Sequence, residues 1–402
     1  MKNWAGNTTY STDRVLAPRS VAEAQEMIAR SDVLRALGTR HSFSRVADTS
    51  GVLLSTERLN SIVEVGERTV VVEAGIRYGE LGRDLARHGL GLLNYASLPH
   101  ISVGGAIATA THGSGARNQS LASSVAALDL VCADGSLIHL DRTDDVFDGA
   151  VVALGTLGVV VRVTLDVVPE FELRQQVFEG LPWPTVEANL HELLALGYST
   201  SLFTRWTAAG VDQVWVKSTA PIESCFGAIP ADGPRHPIAG ADPMHTTEQL
   251  GVPGPSAERL PHFRLGFTPS GGNELQSEYA VGREHAVDAV RTLRALGPIL
   301  TPLLLTSELR AAAADSLWLS PFHERDSVCI HFTWKPLAAK VHAALLRVEA
   351  ALAPFKPRPH WGKLFVQSPA PLYPRLPEFH ALRVSLDPER AYANAFDAQL
   401  ET

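Results

Sequence analysis

The stretch Gly38-Thr39-Arg40-His41-Ser42-Phe43 decides how the rest of this chain is interpreted. It follows a short apolar run, residues 34–37, and places one histidine directly after a glycine turn. A second stretch, Ala96-Ser-Leu-Pro-His-Ile-Ser-Val-Gly-Gly-Ala-Ile-Ala-Thr-Ala-Thr-His-Gly-Ser-Gly115, is rich in small residues and has no Asp, Glu, Lys or Arg. Such a backbone lets a large ligand approach closely, and its free N–H groups can cradle a pyrophosphate. Together the two stretches predict a bound dinucleotide with a histidine beside it.

The composition is that of an ordinary globular protein. The chain has 402 residues, which suits two domains or one large discontinuous domain. A formal net charge of −8 argues against nucleic acid and anionic membranes as partners. No segment approaches the roughly 20 apolar residues of a membrane-spanning helix, and the first residues lack the apolar core of a secretory signal. We therefore expect a cytoplasmic protein.

The cysteine and histidine patterns exclude several classes of site. The three cysteines, Cys132, Cys225 and Cys329, are far apart and show no CxxC spacing, which favours buried free thiols over disulfides or a metal site. The 15 histidines include no HExxH motif, so a zinc hydrolase is disfavoured and no metal is expected. No GxSxG motif is present, which argues against an α/β-hydrolase.

Residues 10–170 have the pattern of alternating strands and helices. Aliphatic and β-branched runs predict strands at residues 34–37, 52–55, 62–65 and 69–73. Asp134-Gly135 predicts the turn of a hairpin. Ser20-Val-Ala-Glu23 predicts a helix start. No GxGxxG motif follows any of these strands, so a Rossmann dinucleotide site is disfavoured.

The region from residue 171 to residue 355 has a different character. Strands are predicted at residues 303–310 and 327–334, and helices at residues 284–296 and 338–352, which together favour an α+β cap domain. A Pro- and Gly-rich segment, residues 229–255, is too long for a simple connection. Its sequence is compatible with a lid, an oligomer contact or a surface excursion.

Several motifs carry a family resemblance. The chain resembles the FAD-dependent oxidases of the vanillyl-alcohol-oxidase type, and among them the alditol oxidases. Two of the matching motifs, Gly38-Thr-Arg-His-Ser-Phe43 and Thr109-Ala-Thr-His-Gly-Ser-Gly115, are shared by much of the superfamily. Ser-Leu-Pro-His, Glu-Leu-Arg and His-Trp-Gly-Lys are more specific. The last of these also resembles the aldonolactone oxidases. The matching segments are Gly38-Thr-Arg-His-Ser-Phe43, Ser97-Leu-Pro-His-Ile-Ser-Val103, Thr109-Ala-Thr-His-Gly-Ser-Gly115, Ser307-Glu-Leu-Arg310, His331-Phe-Thr-Trp334 and Arg358-Pro-His-Trp-Gly-Lys363.

The resemblance implies an α+β fold of two domains. The first is a vanillyl-alcohol-oxidase or PCMH-type FAD-binding domain, formed by residues 1–170 and completed by the C-terminal segment 372–402. The second is an α+β substrate-binding cap domain, residues 171–371.

The resemblance also implies FAD as the cofactor, attached covalently through His41. No cysteine lies between His41 and Cys132, so we expect a single attachment. The other residues assigned to the cofactor are Gly38, Thr39, Arg40, Ser42, Ser97, Ser102, Gly105, Thr109, Ala110, Thr111, His112 and Val160.

Polar residues, most of them in the later half of the chain, are the candidates for substrate binding. Glu308 and Arg310 are two apart in an apolar strand and therefore share a face. If the strand is central, two buried charges must pair or bind a polar ligand; the alternative is a solvated edge strand. The resemblance implies that the substrate is bound by Ser97, Glu308, Arg310, Thr333 and Lys363.

The residues that the resemblance makes catalytic are Arg310, Lys363 and His331. The proton acceptor is His331 or a water held by the two cations. The activity implied is oxidation of the terminal hydroxyl of alditols such as xylitol and sorbitol to the aldose, with O2 reduced to H2O2, in a monomer whose partners are polyol and oxygen. The alternatives are an aldonolactone oxidase and a non-catalytic flavin- or sugar-binding protein.

Overall fold

The computed structural model describes residues 1–266 and 273–401, and it has an α+β architecture. Strands and helices alternate through the first 170 residues, as the sequence predicts. The strands of this part are β1 (Val15–Leu16), β2 (Leu34–Leu37), β3 (Val52–Ser55), β4 (Ile62–Val65), β5 (Thr69–Glu73), β6 (Leu90–Gly91), β7 (Val125–Val131), β8 (Leu137–Asp141), β9 (Val159–Asp166) and β10 (Val168–Pro169). The helices are α1 (Val21–Ala29), α2 (Tyr78–Arg87), α3 (Val103–Ala108) and α4 (Phe147–Val151).

These strands form one parallel and one antiparallel sheet, and β6 pairs with β10. Strands β1, β3 and β2 form the parallel sheet, and β4, β5, β9, β7 and β8 form the antiparallel one, each in that order. Buried and half-buried residues alternate along β9, because successive side chains point to opposite faces of a sheet. The apolar face of the antiparallel sheet packs with α2, α3 and α4 in one core.

Local sequence signals placed these elements well. Strands β2 to β5 begin and end at the predicted residues. The hydroxyl of Ser20 accepts a hydrogen bond from the Glu23 N–H at 3.2 Å and caps α1, but the Glu23 carboxylate accepts from the Arg19 N–H instead of closing a capping box. Gly135 has a φ of +83°, which explains the glycine in the turn between β7 and β8.

The later part of the chain forms one large sheet covered by helices. Its strands are β11 (Glu172–Leu181), β12 (Ser199–Thr204), β13 (Val211–Ser218), β14 (Ile229–Pro230), β15 (Gly254–Pro255), β16 (Leu275–Gly282), β17 (Leu304–Ala312), β18 (Ser327–Trp334) and β19 (Arg358–Pro359). The helices are α5 (Trp183–Ala188), α6 (Leu190–Leu194), α7 (Ser256–Arg259), α8 (Ala286–Ala295), α9 (Gly297–Leu300), α10 (Ala338–Leu352) and α11 (Leu376–Leu386). Among the described residues, none of the helices combines the length and the apolar character that crossing a bilayer requires.

The strand order decides which residues face each other. Strands β14, β11, β13, β12, β17, β18, β16 and β19 lie side by side in that order, with antiparallel neighbours, and β15 also pairs with β11. Helices α5, α6, α8 and α10 cover one face and form a second core with it. Because side chains alternate along each strand, the other face is free to carry polar residues.

The C-terminal tail returns to the first part of the chain. The buried guanidinium of Arg35, on β2, donates to the carbonyl oxygens of Val46 at 3.0 Å, Leu154 at 2.8 Å and Tyr392. The Asp397 carboxylate lies 3.6 Å from Arg35 Nη1. The tail therefore supplies both a carbonyl and a counter-ion to a charge that the first part of the chain buries.

Candidate active site

A single cavity of about 540 Å³ is lined by both parts of the chain. The first part contributes residues 38–43 and several residues between positions 96 and 112, the two stretches that the sequence singled out. The second part contributes polar residues of β17 and β18, together with Lys363. The candidate cofactor residues and the candidate substrate residues therefore share one space.

Nearly all of the residues that the resemblance assigns to the cofactor line this cavity. The exception is Ala110, which is fully buried outside the cavity wall and has a left-handed φ of +49°. Those that line the cavity are Gly38, Thr39, Arg40, His41, Ser42, Ser97, Ser102, Gly105, Thr109, Thr111, His112 and Val160.

The N-terminal segment holds the loop that carries His41. The Trp4 indole stacks on the His41 imidazole, with ring centroids 5.2 Å apart and planes inclined by 22°. The backbone N–H of Trp4 donates to the Arg40 carbonyl at 2.8 Å, and Asn3 Nδ2 donates to the Ser42 carbonyl at 2.9 Å. Arg40 itself has a left-handed φ of +62°. The loop is thus fixed on both sides of the histidine.

The His41 imidazole is neutral and unpartnered. Both of its ring nitrogens are buried, and neither makes a hydrogen bond within the described part of the chain. Burial lowers the pKa of His41 to about 4, so the ring carries no charge at neutral pH. Buried polar atoms without partners are costly in a folded protein. The two free nitrogens therefore indicate a ligand beside the ring.

The glycines of the two stretches bring two loops into close contact. A Cβ atom placed on Gly38 would lie 2.6 Å from Ser102 Oγ and 3.6 Å from Gly105 Cα. The Ser102 hydroxyl is buried and has no partner among the described residues. Because Gly38 and Gly105 have no side chains, the two loops can approach this closely. The hydroxyl of Ser102 is left without a partner at the wall of the cavity. These residues fit a large ligand rich in hydrogen-bond acceptors, as FAD is.

Neighbouring strands of the large sheet carry a row of ionisable side chains. Glu278 on β16 lies opposite His331 on β18, which in turn lies opposite Glu308 on β17. Arg310 shares this face because it follows Glu308 by two residues. Strand β17 lies between β12 and β18, and both of its charged residues are buried. The alternative of a solvated edge strand is therefore wrong.

Glu278 is the centre of the ion network, and no sequence motif pointed to it. Its Oε1 accepts from Arg310 Nη2 at 2.9 Å and lies 3.1 Å from His112 Nε2. Its Oε2 accepts from Lys363 Nζ. Burial alone would raise the pKa of Glu278, but Arg310 and Lys363 hold that pKa well below its usual range. The carboxylate is therefore charged and serves as a shared counter-ion.

The structure brings the predicted catalytic and substrate-binding residues together. Lys363 Nζ donates to His331 Nδ1 at 2.9 Å, and His331 Nε2 lies 3.2 Å from Thr333 Oγ1. Arg310 Nη1 donates to Ser97 Oγ at 3.3 Å, so a residue of the first part joins the group. Burial lowers the pKa of His331 well below its usual range. The neutral ring accepts at Nδ1 and so carries its proton on Nε2, beside Thr333.

Glu308 makes a second chain of contacts, with residues that no sequence motif indicated. Its Oε1 lies 3.0 Å from His262 Nε2, and His262 Nδ1 lies 3.0 Å from Lys217 Nζ. Burial alone would raise the pKa of Glu308, but Arg310 and His262 lower it, so the carboxylate is charged. The one feature of the sequence that could have indicated these contacts is the lysine at the end of the apolar run Val214-Trp215-Val216-Lys217.

The Pro- and Gly-rich segment 229–255 forms a wall of the cavity. Near its start, Ile229–Pro230 pairs with one end of β11, and Gly254–Pro255 pairs with the other end. Between these points, His236, Ile238 and Asp242 line the cavity. The segment is thus fixed to one strand at both ends, and its middle lies beside the site.

The geometry does not favour a metal ion. His112, Glu278 and Cys329 place possible ligand atoms within 4.8 Å of one another. Burial raises the pKa of the Cys329 thiol well above its usual range, and Arg310 and Lys363 already pair with Glu278. A protonated thiol and a carboxylate held by two cations are poor ligands. The expectation that the protein holds no metal stays a prediction.

The architecture is similar to that of solved cholesterol oxidases. The crystal structure of cholesterol oxidase from B. sterolicum matches with a TM-score of 0.79 and 17% sequence identity, covering 100% of this chain and 96% of that chain. A solvent-stable cholesterol oxidase matches with a TM-score of 0.78 and 18% identity, covering 99% of this chain and 96% of that one. At this identity the likeness concerns the fold alone.

Sequence comparison decides the family. Residues 12–141 match the family described as FAD binding domain, and residues 273–400 match D-arabinono-1,4-lactone oxidase. An alditol oxidase from a Streptomyces species is 46% identical over 404 residues, which are 98% of this chain and 97% of that protein. This chain belongs to the FAD-dependent alditol and aldonolactone oxidoreductases. An L-gulono-1,4-lactone dehydrogenase from Mycobacterium tuberculosis is 31% identical over 422 residues, 98% of this chain and 97% of that protein.

Membership of this FAD-dependent oxidoreductase family confirms the main sequence predictions. The chain has the predicted α+β, two-domain fold of the vanillyl-alcohol-oxidase or PCMH type, with an α+β cap domain. It is an oxidoreductase, and its cofactor is FAD. The roles of individual residues and the domain boundaries stay predictions.

Proposed function

We propose that this oxidoreductase removes two hydrogens from the terminal CH2OH group of a linear alditol, such as xylitol or sorbitol, and releases the aldose. O2 takes up the two electrons and two protons and leaves as hydrogen peroxide. The observation that carries the proposal is that Glu308, Arg310 and Lys363 line the same cavity as His41. The alditol oxidase from Streptomyces, 46% identical over nearly the whole chain, supports it.

Arg310 and Lys363 are the residues that we assign to the reacting oxygen. Both cations share the carboxylate of Glu278; Arg310 is buried, and the side chain of Lys363 is 11% exposed. As the substrate oxygen gains negative charge, fixed positive groups stabilise it better than water, which would first have to reorient. Bound FAD supplies the hydride acceptor. The guanidinium adds a planar, permanently charged donor for that oxygen.

Glu308 and Thr333 are assigned to the neighbouring hydroxyls of the polyol. The charged carboxylate of Glu308 can accept from a hydroxyl, and the hydroxyl of Thr333 can donate or accept. Both residues line the cavity beside Arg310. Ser97 Oγ accepts a hydrogen bond from Arg310, and we assign this serine to a substrate hydroxyl as well. A site of this kind favours polyols over simple alcohols, which leave its buried polar groups unpaired.

His331 is the proton acceptor that we propose, in preference to a bound water. It is neutral and its only lone pair, on Nδ1, accepts from Lys363. When Lys363 turns to the substrate oxygen, Nδ1 becomes free to take the hydroxyl proton. A bound water is the weaker candidate, because His331 itself lines the cavity and lies within hydrogen-bond distance of Lys363 and Thr333.

We further propose that one ring nitrogen of His41 is bonded covalently to FAD, as the single attachment. The neutral, unpartnered imidazole held against Trp4 supports this assignment. Cys132, Cys225 and Cys329 all belong to the described part of the chain, and no cysteine lines the cavity, which supports one attachment rather than two.

Oxidation of an aldonolactone is the second candidate function. The match of residues 273–400 to D-arabinono-1,4-lactone oxidase and the 31% identity to L-gulono-1,4-lactone dehydrogenase favour it. The higher identity to alditol oxidase makes polyol oxidation the better supported candidate. The third alternative, a non-catalytic flavin- or sugar-binding protein, is wrong, because the chain belongs to a family of oxidoreductases.

A substrate panel tests the proposed function. Purified, FAD-loaded protein is given xylitol, sorbitol or D-arabinono-1,4-lactone while oxygen uptake and hydrogen peroxide are recorded. We expect the two alditols to have the higher kcat/KM and one peroxide to form for each oxygen consumed. A higher kcat/KM for the lactone would transfer the proposal to the second candidate. Rapid turnover with a dye but not with oxygen would make the protein a dehydrogenase.

Three further expectations are retained as proposals. The domain boundaries, with residues 1–170 and 372–402 in the FAD-binding domain and residues 171–371 in the cap, are supported by the second core, whose buried residues lie between positions 178 and 352, and by the contacts of the tail with Arg35. The monomeric state and the cytoplasmic location are to be tested by size-exclusion chromatography and by cell fractionation.

A further inference from the structure

Lys217 is a buried lysine behind the substrate end of the cavity. It lies on β13, is 1% exposed and does not line the cavity. Its Nζ donates to the carbonyl oxygens of Leu260 and Pro261 and to His262 Nδ1, the last two at 3.2 Å and 3.0 Å. An ammonium group has three hydrogens and no lone pair, so these three acceptors match its protonated form.

The Lys217 ammonium fixes the tautomer of His262. Because Nδ1 of the imidazole accepts from Lys217, the ring proton must be on Nε2, which lies 3.0 Å from Glu308 Oε1. Burial lowers the pKa of His262 to about 4, so the ring is neutral and holds one proton only. The imidazole therefore accepts from the lysine on one side and donates to the carboxylate on the other.

The position of the His262 ring is fixed as well. Phe203 and Trp215 meet it edge to face, with ring centroids 5.5 Å and 5.3 Å away. The backbone N–H of His262 donates to the carbonyl of Ser97 at 3.0 Å. The ring therefore has little freedom to move away from Glu308, and it is tied to a second residue that we assign to the substrate.

We propose that Lys217 and His262 are positioning residues that hold the carboxylate of Glu308 in the orientation that binds a substrate hydroxyl. His262 occupies Oε1, whereas Oε2 lies 3.8 Å from Arg310 Nε, beyond hydrogen-bond distance, and is the oxygen that we assign to the polyol. This inference rests on the proposed function, since it concerns how that site recognises its substrate. Neither Lys217 nor His262 contacts the reacting atoms. Substitution of either residue is therefore expected to raise KM more than it lowers kcat.

The protonation of Lys217 makes the positioning depend on pH. Among the residues that the structure describes, three titratable or charged groups face this lysine: His262, Glu308 and Arg310. Burial lowers the pKa of Lys217 to about 7, with Glu308 opposing the change. Below that pH the ammonium holds the ring proton of His262 on Nε2. Above it, the neutral amine no longer does, and the Nε2 lone pair can face the carboxylate of Glu308 and repel it.

Substitution of Lys217 tests the inference through the pH dependence of KM. In the wild type, KM for sorbitol is expected to rise as the pH passes above about 7, with kcat changed much less. Lys217→Met is expected to raise KM about tenfold and to remove its pH dependence. Lys217→Arg keeps a charged donor at every pH, so it is expected to retain a low KM and to lose the alkaline rise. Lys335→Met, at a lysine outside the cavity that donates to the Pro302 carbonyl, is the matched control and is expected to behave as the wild type.

A pair of variants at His262 covers the case in which Lys217→Met does not fold. Glutamine can still donate to Glu308, whereas leucine cannot, so His262→Gln is expected to have a lower KM than His262→Leu at equal flavin content. Equal KM values for this pair, or a wild-type KM in Lys217→Met, would overturn the inference. A wild type that oxidises no polyol would overturn the proposed function instead, which separates the two failures.

Discussion

Arg310 reaches across an entire strand to pair with Glu278. The two residues lie on β17 and β16, with β18 between them, and yet Arg310 Nη2 lies 2.9 Å from Glu278 Oε1. With Lys363 and Glu308, the cluster contains two positive and two negative groups. The site can therefore bury two cations beside the substrate without a net charge, since the opposite charges compensate each other.

Glu278→Gln is expected to impair both stability and activity. The substitution removes the shared counter-ion of Arg310 and Lys363 and leaves two buried cations close together. Breaking a buried ion pair by removing one partner typically costs about 3–5 kcal/mol of unfolding free energy. Burial already lowers the pKa of Lys363, and without Glu278 that pKa should fall further, so the lysine loses its charge. We expect kcat to fall about 100-fold, which steady-state kinetics with xylitol will measure.

Glu349→Gln is the matched control for this variant. Glu349 is also buried in the cap and accepts from Tyr279 Oη at 2.7 Å and from the Val366 N–H at 2.8 Å, away from the cavity. It is expected to lower the unfolding free energy while kcat of the folded enzyme stays within about twofold. If Glu278→Gln retains wild-type kcat, Glu278 does not organise the catalytic cations.

His41→Ala is expected to release all of its flavin on acid precipitation, whereas the wild type should retain yellow colour in the pellet. The imidazole is the proposed site of the covalent bond, and alanine offers no nucleophile. Trp4→Leu removes the ring that stacks on His41 and is expected to lower the covalently bound fraction. Flavin fluorescence on a denaturing gel measures that fraction. Fluorescence in the His41→Ala band would place the bond on another residue.

The length of the polyol should affect catalysis strongly. Each substrate hydroxyl that is missing leaves one or more buried partners unpaired, at a cost of about 1–3 kcal/mol per group. Glycerol is therefore expected to have a kcat/KM lower than that of sorbitol by at least about tenfold. Initial rates of oxygen uptake over a range of concentrations provide the comparison. Equal kcat/KM values for the two would refute the assignment of Glu308 and Thr333 to hydroxyl recognition.

Asp315 gives the contact between the two parts of the chain a pH dependence. Its Oδ2 accepts from Ser120 Oγ at 3.0 Å and Ser320 Oγ at 2.7 Å, and burial raises its pKa from 3.8 to about 6. The folded protein thus binds this proton more tightly than the unfolded chain. The resulting stabilisation is fully present below about pH 4 and is lost as the pH rises through about 6.

Asp315→Asn removes this titration. The stability of the wild type relative to the variant is therefore expected to fall by about 2 kcal/mol between pH 4 and pH 7. Urea unfolding of both proteins at each pH measures the difference. A difference that stays constant over this range would show that Asp315 has the same proton affinity in the folded and unfolded states.

The sequence predicted those strands and helices whose formation depends on residues close together in the chain. Strands β2 to β5 and the helix Ala338–Leu352 were placed to the residue, because apolar periodicity and turn residues act locally. The segment 229–255 could not be placed in the same way. Its position at the cavity depends on pairing with both ends of β11, and the paired residues are 50 to 83 positions apart in the chain.

The candidate site was predictable only where a motif carried it. Glu308, Arg310 and Lys363 lie in segments that resemble a family, and the structure brings them together. Glu278 lies in the run Leu275–Gly282, where a charged residue between polar and apolar neighbours gives no local sign of burial. Its partnership with Arg310 follows from the register of three strands, which no short sequence window contains.

Anaerobic reduction of the flavin tests the central claim most directly. Xylitol is added without oxygen to the purified, FAD-loaded protein while the absorbance of the oxidised flavin is recorded. We expect the yellow absorbance to bleach on addition of xylitol and to return when oxygen is admitted. A flavin that stays oxidised with xylitol and sorbitol, but bleaches with a γ-lactone, would contradict it.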